Sequence, residues 1–197
     1  ETRGAILRIC GSAWSTSNAR TEKAGASLRV RSSTDFMTIV EWCKALEDTR
    51  IGEIVRESAF PYVEGAHVLG LALSVGTVVW FDLRLLGATM RTRPVAEVFR
   101  NLKGWMIAGF SLMFLSGALL FTAHAAKAYA NSYFRAKIAL IVLAGVNSAV
   151  YHLTIDRRRA EWSDAAIPPL GARAAGLVSL VLWFSVIAAG RIFAYDL

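Results

Sequence analysis

Gly104-Trp105-Met106-Ile107-Ala108-Gly109-Phe110-Ser111-Leu112-Met113-Phe114-Leu115-Ser116-Gly117-Ala118-Leu119-Leu120-Phe121-Thr122-Ala123-His124-Ala125-Ala126 contains no Asp, Glu, Lys or Arg. About 20 predominantly apolar residues cross the hydrocarbon of a bilayer as a helix, and this run is long enough, with one histidine close to its end. Residues 65–81, 138–155 and 174–190 are equally free of charge. With their lightly polar flanks these windows predict four transmembrane helices near 60–83, 103–127, 134–155 and 172–194. The composition agrees. Of 197 residues, 55% are hydrophobic and 19% charged, and the mean hydropathy of +0.43 exceeds that of an ordinary soluble domain. The expected fold class is all-α, a four-transmembrane-helix bundle preceded by an N-terminal amphipathic surface helix.

The net charge of +7 gathers where the apolar windows end, which argues for lipid headgroups and against nucleic acid. Arg84, Arg91, Arg93, Arg100 and Lys103 follow the first window. Arg157, Arg158, Arg159 and Arg173 lie between the third and fourth. These nine share one side. By the positive-inside rule both loops are cytoplasmic and both termini lie outside.

Residues 1–34 are rich in Ser, Arg, Gly and Ala and have no sustained period. They are expected to be irregular or held only by a partner. From Asp35, the spacing of Phe36, Ile39, Val40, Cys43 and Leu46 is helical, with Glu41, Lys44 and Glu47 on the opposite face. Residues 35–58 are thus read as an amphipathic helix lying on the membrane or against a partner subunit, and 59–197 as the membrane domain. Pro94 suits a helix start, and Val95, Val98, Phe99 and Leu102 predict a short interfacial helix before the second span.

Cys10 and Cys43, 33 positions apart, define neither a disulfide framework nor a metal site. No Walker A, GxGxxG, HExxH or GxSxG motif occurs. Any chemistry must therefore be done inside the membrane.

His67 and His124 are the residues that suggest such chemistry. The topology brings both to the outer side at similar depth, and ionisable groups at membrane depth usually face the bundle interior with a partner or a site. Two imidazoles from different helices suit the axial positions of haem b. Arg135, Lys137 and Arg191 lie where propionates would emerge. Gly70, Ser74 and Gly117 would leave room for a flat ring, and Phe121 would line its edge. Copper, quinone or purely structural polar packing remain open alternatives for the same pair. His152 sits at the opposite end of the third helix and reads as an interfacial anchor. Asn147 and Ser148 read as interhelical hydrogen-bonders, and Asp82 with Arg84 as a structural ion pair.

The stretch Glu57–His152 resembles an uncharacterised bacterial family of four-helix integral membrane proteins. The resemblance is carried by Glu57-Ser58, Pro61-Tyr62 with Glu64 and His67, Asp82-Leu83-Arg84-Leu85-Leu86-Gly87, Gly117 with Phe121, and Phe134 with Lys137. More distantly, His67, Lys137 and Tyr151-His152 are similar to the membrane protoporphyrinogen oxidases, in which a His on the first helix and a Lys on the third serve haem. The layout also looks like the copper-resistance membrane proteins. The resemblance implies a multi-pass protein of the bacterial inner membrane with a haem-capable bundle. The functional expectation is a haem b protein that transfers electrons, as a membrane subunit working with other membrane or periplasmic redox subunits or a quinone. The competing expectations are a non-catalytic accessory subunit and a protoporphyrinogen-oxidase-like enzyme.

Overall fold

The computed structural model describes residues 38–195, so the tail expected at 1–34 and Phe36 lie outside the described residues. Four helices here are long and apolar enough to span a membrane: Arg50–Leu85, Val95–Ala123, Ser132–Trp162 and Leu170–Tyr195. The residues facing away from the bundle are Leu69, Leu115, Leu143 and Val181, all more than half exposed. Apolar side chains covering the outside of a helix bundle belong in lipid, where every backbone group must be paired internally. The chain is a multi-pass, all-α membrane protein, and no strand occurs among the described residues.

In chain order the helices are α1 (Ile39–Glu47), α2 (Arg50–Ile54), α3 (Phe60–Leu85), α4 (Val95–Ala123), α5 (Ala125–Ala130), α6 (Ser132–Val150), α7 (Arg159–Trp162) and α8 (Leu170–Tyr195). A π-helical turn, Val55–Ala59, joins α2 to α3, so the first spanning helix begins well before Pro61. The interfacial helix expected at 94–102 is continuous with α4, starting directly after Pro94.

The amphipathic segment is two helices rather than one. Thr49 breaks it, its hydroxyl accepting from the Gly52 amide at 3.2 Å as an N-cap. α1 packs on α5 of the same chain and buries Cys43, while Glu47 accepts a hydrogen bond from the Ala126 amide at 2.9 Å. Ile39, Val40 and Trp42 stay exposed. Gly52 lies so close to α4 that a Cβ there would sit 2.9 Å from the Thr122 carbonyl.

α3 packs along α4, α6 along α8, and α3 joins the two pairs through α8. α4 and α6 hardly approach each other. The bundle is therefore closed along three seams and loose along the fourth. Small residues make the tightest seam: a Cβ on Gly109 would lie 2.5 Å from the Ser74 nitrogen, and one on Gly70 would lie 2.7 Å from the Met113 nitrogen. Close backbone approach through small residues is how membrane helices gain packing without a hydrophobic drive between them. Gly70 and Ser74 are thus occupied by α4, and the room expected beside them for a planar ligand does not exist.

The expected Asp82–Arg84 ion pair is also absent. Residues two apart project from opposite sides of a helix. Arg84, fully buried, turns to the loop carbonyls of Arg93 at 2.9 Å and Ala165 at 3.1 Å. Asp82 turns into the bundle.

Candidate functional site

A cavity of about 230 Å³ lies inside the bundle at its His67 end. It is walled by α3 (Phe60, Glu64, His67), α4 (Gly117, Phe121), α6 (Phe134, Lys137) and α8 (Gly190, Arg191), with His124 at its edge. Six of the nine residues singled out in the sequence meet here: His67, Gly117, Phe121, His124, Lys137 and Arg191. Gly70 and Ser74 are at the α3–α4 seam. Arg135 is exposed and does not line the cavity.

The His67 ring has a defined orientation. Its Nδ1 is 3.0 Å from the Met113 carbonyl oxygen and 3.1 Å from Ser116 Oγ. The Ser116 hydroxyl itself donates to the Leu112 carbonyl at 2.6 Å. A carbonyl only accepts, so this network assigns the proton to Nδ1 and leaves Nε2 of the neutral ring as a lone-pair donor. Nε2 has no hydrogen-bond partner among the described residues. Gly117 makes this placement possible, because a Cβ there would lie 3.0 Å from His67 Cε1. The room at Gly117 therefore holds the imidazole itself.

Lys137 reaches the same space from α6. Its side chain lies across Gly190, with Nζ 3.4 Å from where a Cβ would stand. The ion pairs among the described residues, Arg93–Glu97, His152–Asp156 and Arg159–Asp156, do not include it. Ionisable groups at membrane depth are costly and usually face a partner or a site, and Glu64 lines the same cavity. Gly190 has no distinctive sequence signal. It could have been found only by matching the depth of Lys137, near the start of its helix, to the end of the last helix. Arg191 stands at the rim, its guanidinium 4.9 Å from the Tyr195 ring centroid.

His124 is not inside a spanning helix. α4 stops at Ala123, and His124 takes φ −143°, ψ 40° before α5 begins. Its ring meets Phe60 edge-on at 5.6 Å. Burial lowers its pKa below the ordinary 6.5, with Lys127 and Arg56 pushing the same way and Glu47 opposing. It is neutral at pH 7. The two histidines share a cavity but not a level: Gly117, which touches His67, precedes His124 by seven residues, roughly 10 Å along the axis. Between them Phe121 stacks on Phe134 at 5.7 Å and 15°, bridging the loose α4–α6 seam.

Among the described residues, no group of three or more His, Cys, Asp or Glu could hold a bare metal ion. Residues 39–196 match the family of unknown function DUF6644, and the chain belongs to that family. No curated protein and no solved structure matches it. The likeness to protoporphyrinogen oxidases and copper-resistance proteins rests on the residues quoted for it alone.

Proposed function

We propose that this DUF6644 member holds haem b in the cavity at the His67 end and carries single electrons, as the membrane subunit of a larger redox complex. The observation that carries the reading is the contact of His67 Nδ1 with the Met113 carbonyl, 3.0 Å away. A ligating histidine normally donates its far ring N–H to a carbonyl or carboxylate, which fixes the ring and leaves the other nitrogen for the metal. The Met113 carbonyl would perform that role here.

The other donors fit the same group. His124 is neutral and offers the second imidazole. Lys137 and Arg191 offer cations to a ligand's carboxylates, and Phe60, Phe121, Phe134 and Phe193 supply apolar walls. Haem would supply a reversible one-electron iron centre within this shell. Space sets one condition. Small-molecule sites usually hold about 300–1,000 Å³, and the cavity holds about 230 Å³. A whole macrocycle therefore requires the Phe121–Phe134 stack to part along the α4–α6 seam.

The positive-inside bias favours a reading in which this cavity faces the periplasmic leaflet of a bacterial inner membrane, with both termini outside. A periplasmic protein would then be the natural exchange partner. The test is haem titration of the purified chain beside His67→Ala and His124→Ala. Both substitutions are expected to remove the low-spin spectrum, and His67→Ala to weaken retention more. Folded variants that bind haem as the parent does would refute the assignment. If neither histidine affects a spectrum or the assembly of the larger complex, the chain is an accessory subunit.

A further inference from the structure

A second and larger cavity, of about 330 Å³, lies at the opposite end of the bundle. Two of its side chains each carry a buried polar atom without a hydrogen-bond partner. Asp82 is 4% exposed and its Oδ2 accepts nothing; Tyr151 is 4% exposed and its hydroxyl, although close to Asp156, makes no hydrogen bond of ordinary geometry. Buried polar groups in native proteins are almost always satisfied, so two orphans in one cavity call for an explanation. Ser179 hydrogen-bonds the Asp82 carboxyl, and Oδ2 is left unpaired. By contrast, two other polar side chains on this wall are engaged. Asn147 donates to the Ala175 carbonyl at 3.1 Å, and His152 Nδ1 pairs with Asp156 at 3.2 Å.

The orphans are complementary in kind. A carboxylate oxygen accepts a hydrogen bond, while a phenol donates one. A bare cation would satisfy Asp82 and leave Tyr151 unpaired. The remaining wall is aromatic, with Phe110 against Trp183 at 5.3 Å, and residues of α4 and α6, on either side of the loose seam, both line the cavity. A ligand that meets all of this is planar, aromatic and lipid-soluble, and carries both a hydroxyl donor and an oxygen acceptor. We propose that this cavity binds a hydroquinone, its hydroxyl donating to Asp82 while the Tyr151 hydroxyl donates to a ring oxygen. The site needs no haem and stands apart from the reading of the His67 cavity.

The test uses the full chain in lipid nanodiscs under anaerobic conditions, titrated with a short-chain benzoquinol and separately with its quinone. Binding is read as quenching of Trp183 fluorescence, with Trp183→Phe as the reference. Saturable binding is expected, with the quinol about tenfold tighter because the quinone has no proton to give the carboxylate. Asp82→Asn should abolish that preference, and Tyr151→Phe should weaken both forms several-fold. His67→Ala should change neither, and this result is readable whether or not haem binds. Absence of saturable quenching would overturn the proposal, as would Asp82→Asn and Tyr151→Phe variants that melt like the parent and bind like it. Loss of binding in His67→Ala would place the ligand in the other cavity. Displacement by a lipophilic organic cation of the same affinity would make the cavity a cation site instead. Either result would also overturn the proposal.

Discussion

Lys137 and the two histidines share one cavity with Glu64, so each of these polar groups has a measurable cost when that cavity is empty. Lys137→Met removes a cation from membrane depth and keeps the length of the side chain over Gly190. The ligand-free variant is expected to melt higher than the parent by thermal unfolding in detergent, while its haem retention falls. A lower melting temperature would mean that Lys137 has a structural partner. His124 gives a pH signature. Its pKa in the folded chain lies below the ordinary 6.5, so the folded state binds fewer protons than the unfolded one within that window. Stability must then fall as pH drops from about 7 toward the folded pKa, and level off beneath it. His124→Gln is expected to flatten that part of a profile of melting temperature against pH. An unchanged slope would assign the dependence to other groups.

Packing of α3 on α4 positions His67, because the seam of Gly70, Ser74 and Gly109 fixes how the helices face each other. Gly109→Val would drive a side chain into the Ser74 backbone, where a Cβ already stands 2.5 Å from the nitrogen. Overpacking of this kind costs about 1–3 kcal/mol or more, and the variant should lose both thermal stability and haem affinity. Gly104, on the same helix, has open space around it, and Gly104→Ala should be neutral or stabilising by up to about 1 kcal/mol. Equal effects at the two glycines would contradict the seam. The same residues show what a sequence leaves ambiguous. Small residues beside a histidine suit a flat ligand and a close helix crossing equally well, and only the position of the facing backbone separates Gly70 and Ser74 from Gly117. Asp82 and Arg84 illustrate a different limit. Their opposite charges suggest a pair, but helical geometry sends them apart, and the loop carbonyls that hold Arg84 are 9 and 81 positions away.

Three tight seams and one loose one produce a bundle with a cavity at each end, both lined in part by α4 and α6. The four spans were legible because charge-free windows follow directly from the thickness of a bilayer. Helix ends were less legible: α4 absorbs the interfacial helix after Pro94, and stops one residue short of His124, where only local backbone geometry decides. Of the candidate site, topology placed His67, Lys137 and Arg191 at one end correctly. It could not place Arg135 outside, nor resolve the two-turn offset between the histidines, because rotation about a helix axis depends on packing. At the scale of the molecule, the central claim is that this bundle carries haem. The direct measurement is the reduced-minus-oxidised absorption spectrum of the full chain, purified from cells supplied with ample haem. A Soret band with the sharp α and β bands of a low-spin b-type centre, lost in His67→Ala, is the predicted result. Folded protein with no Soret absorption would contradict it.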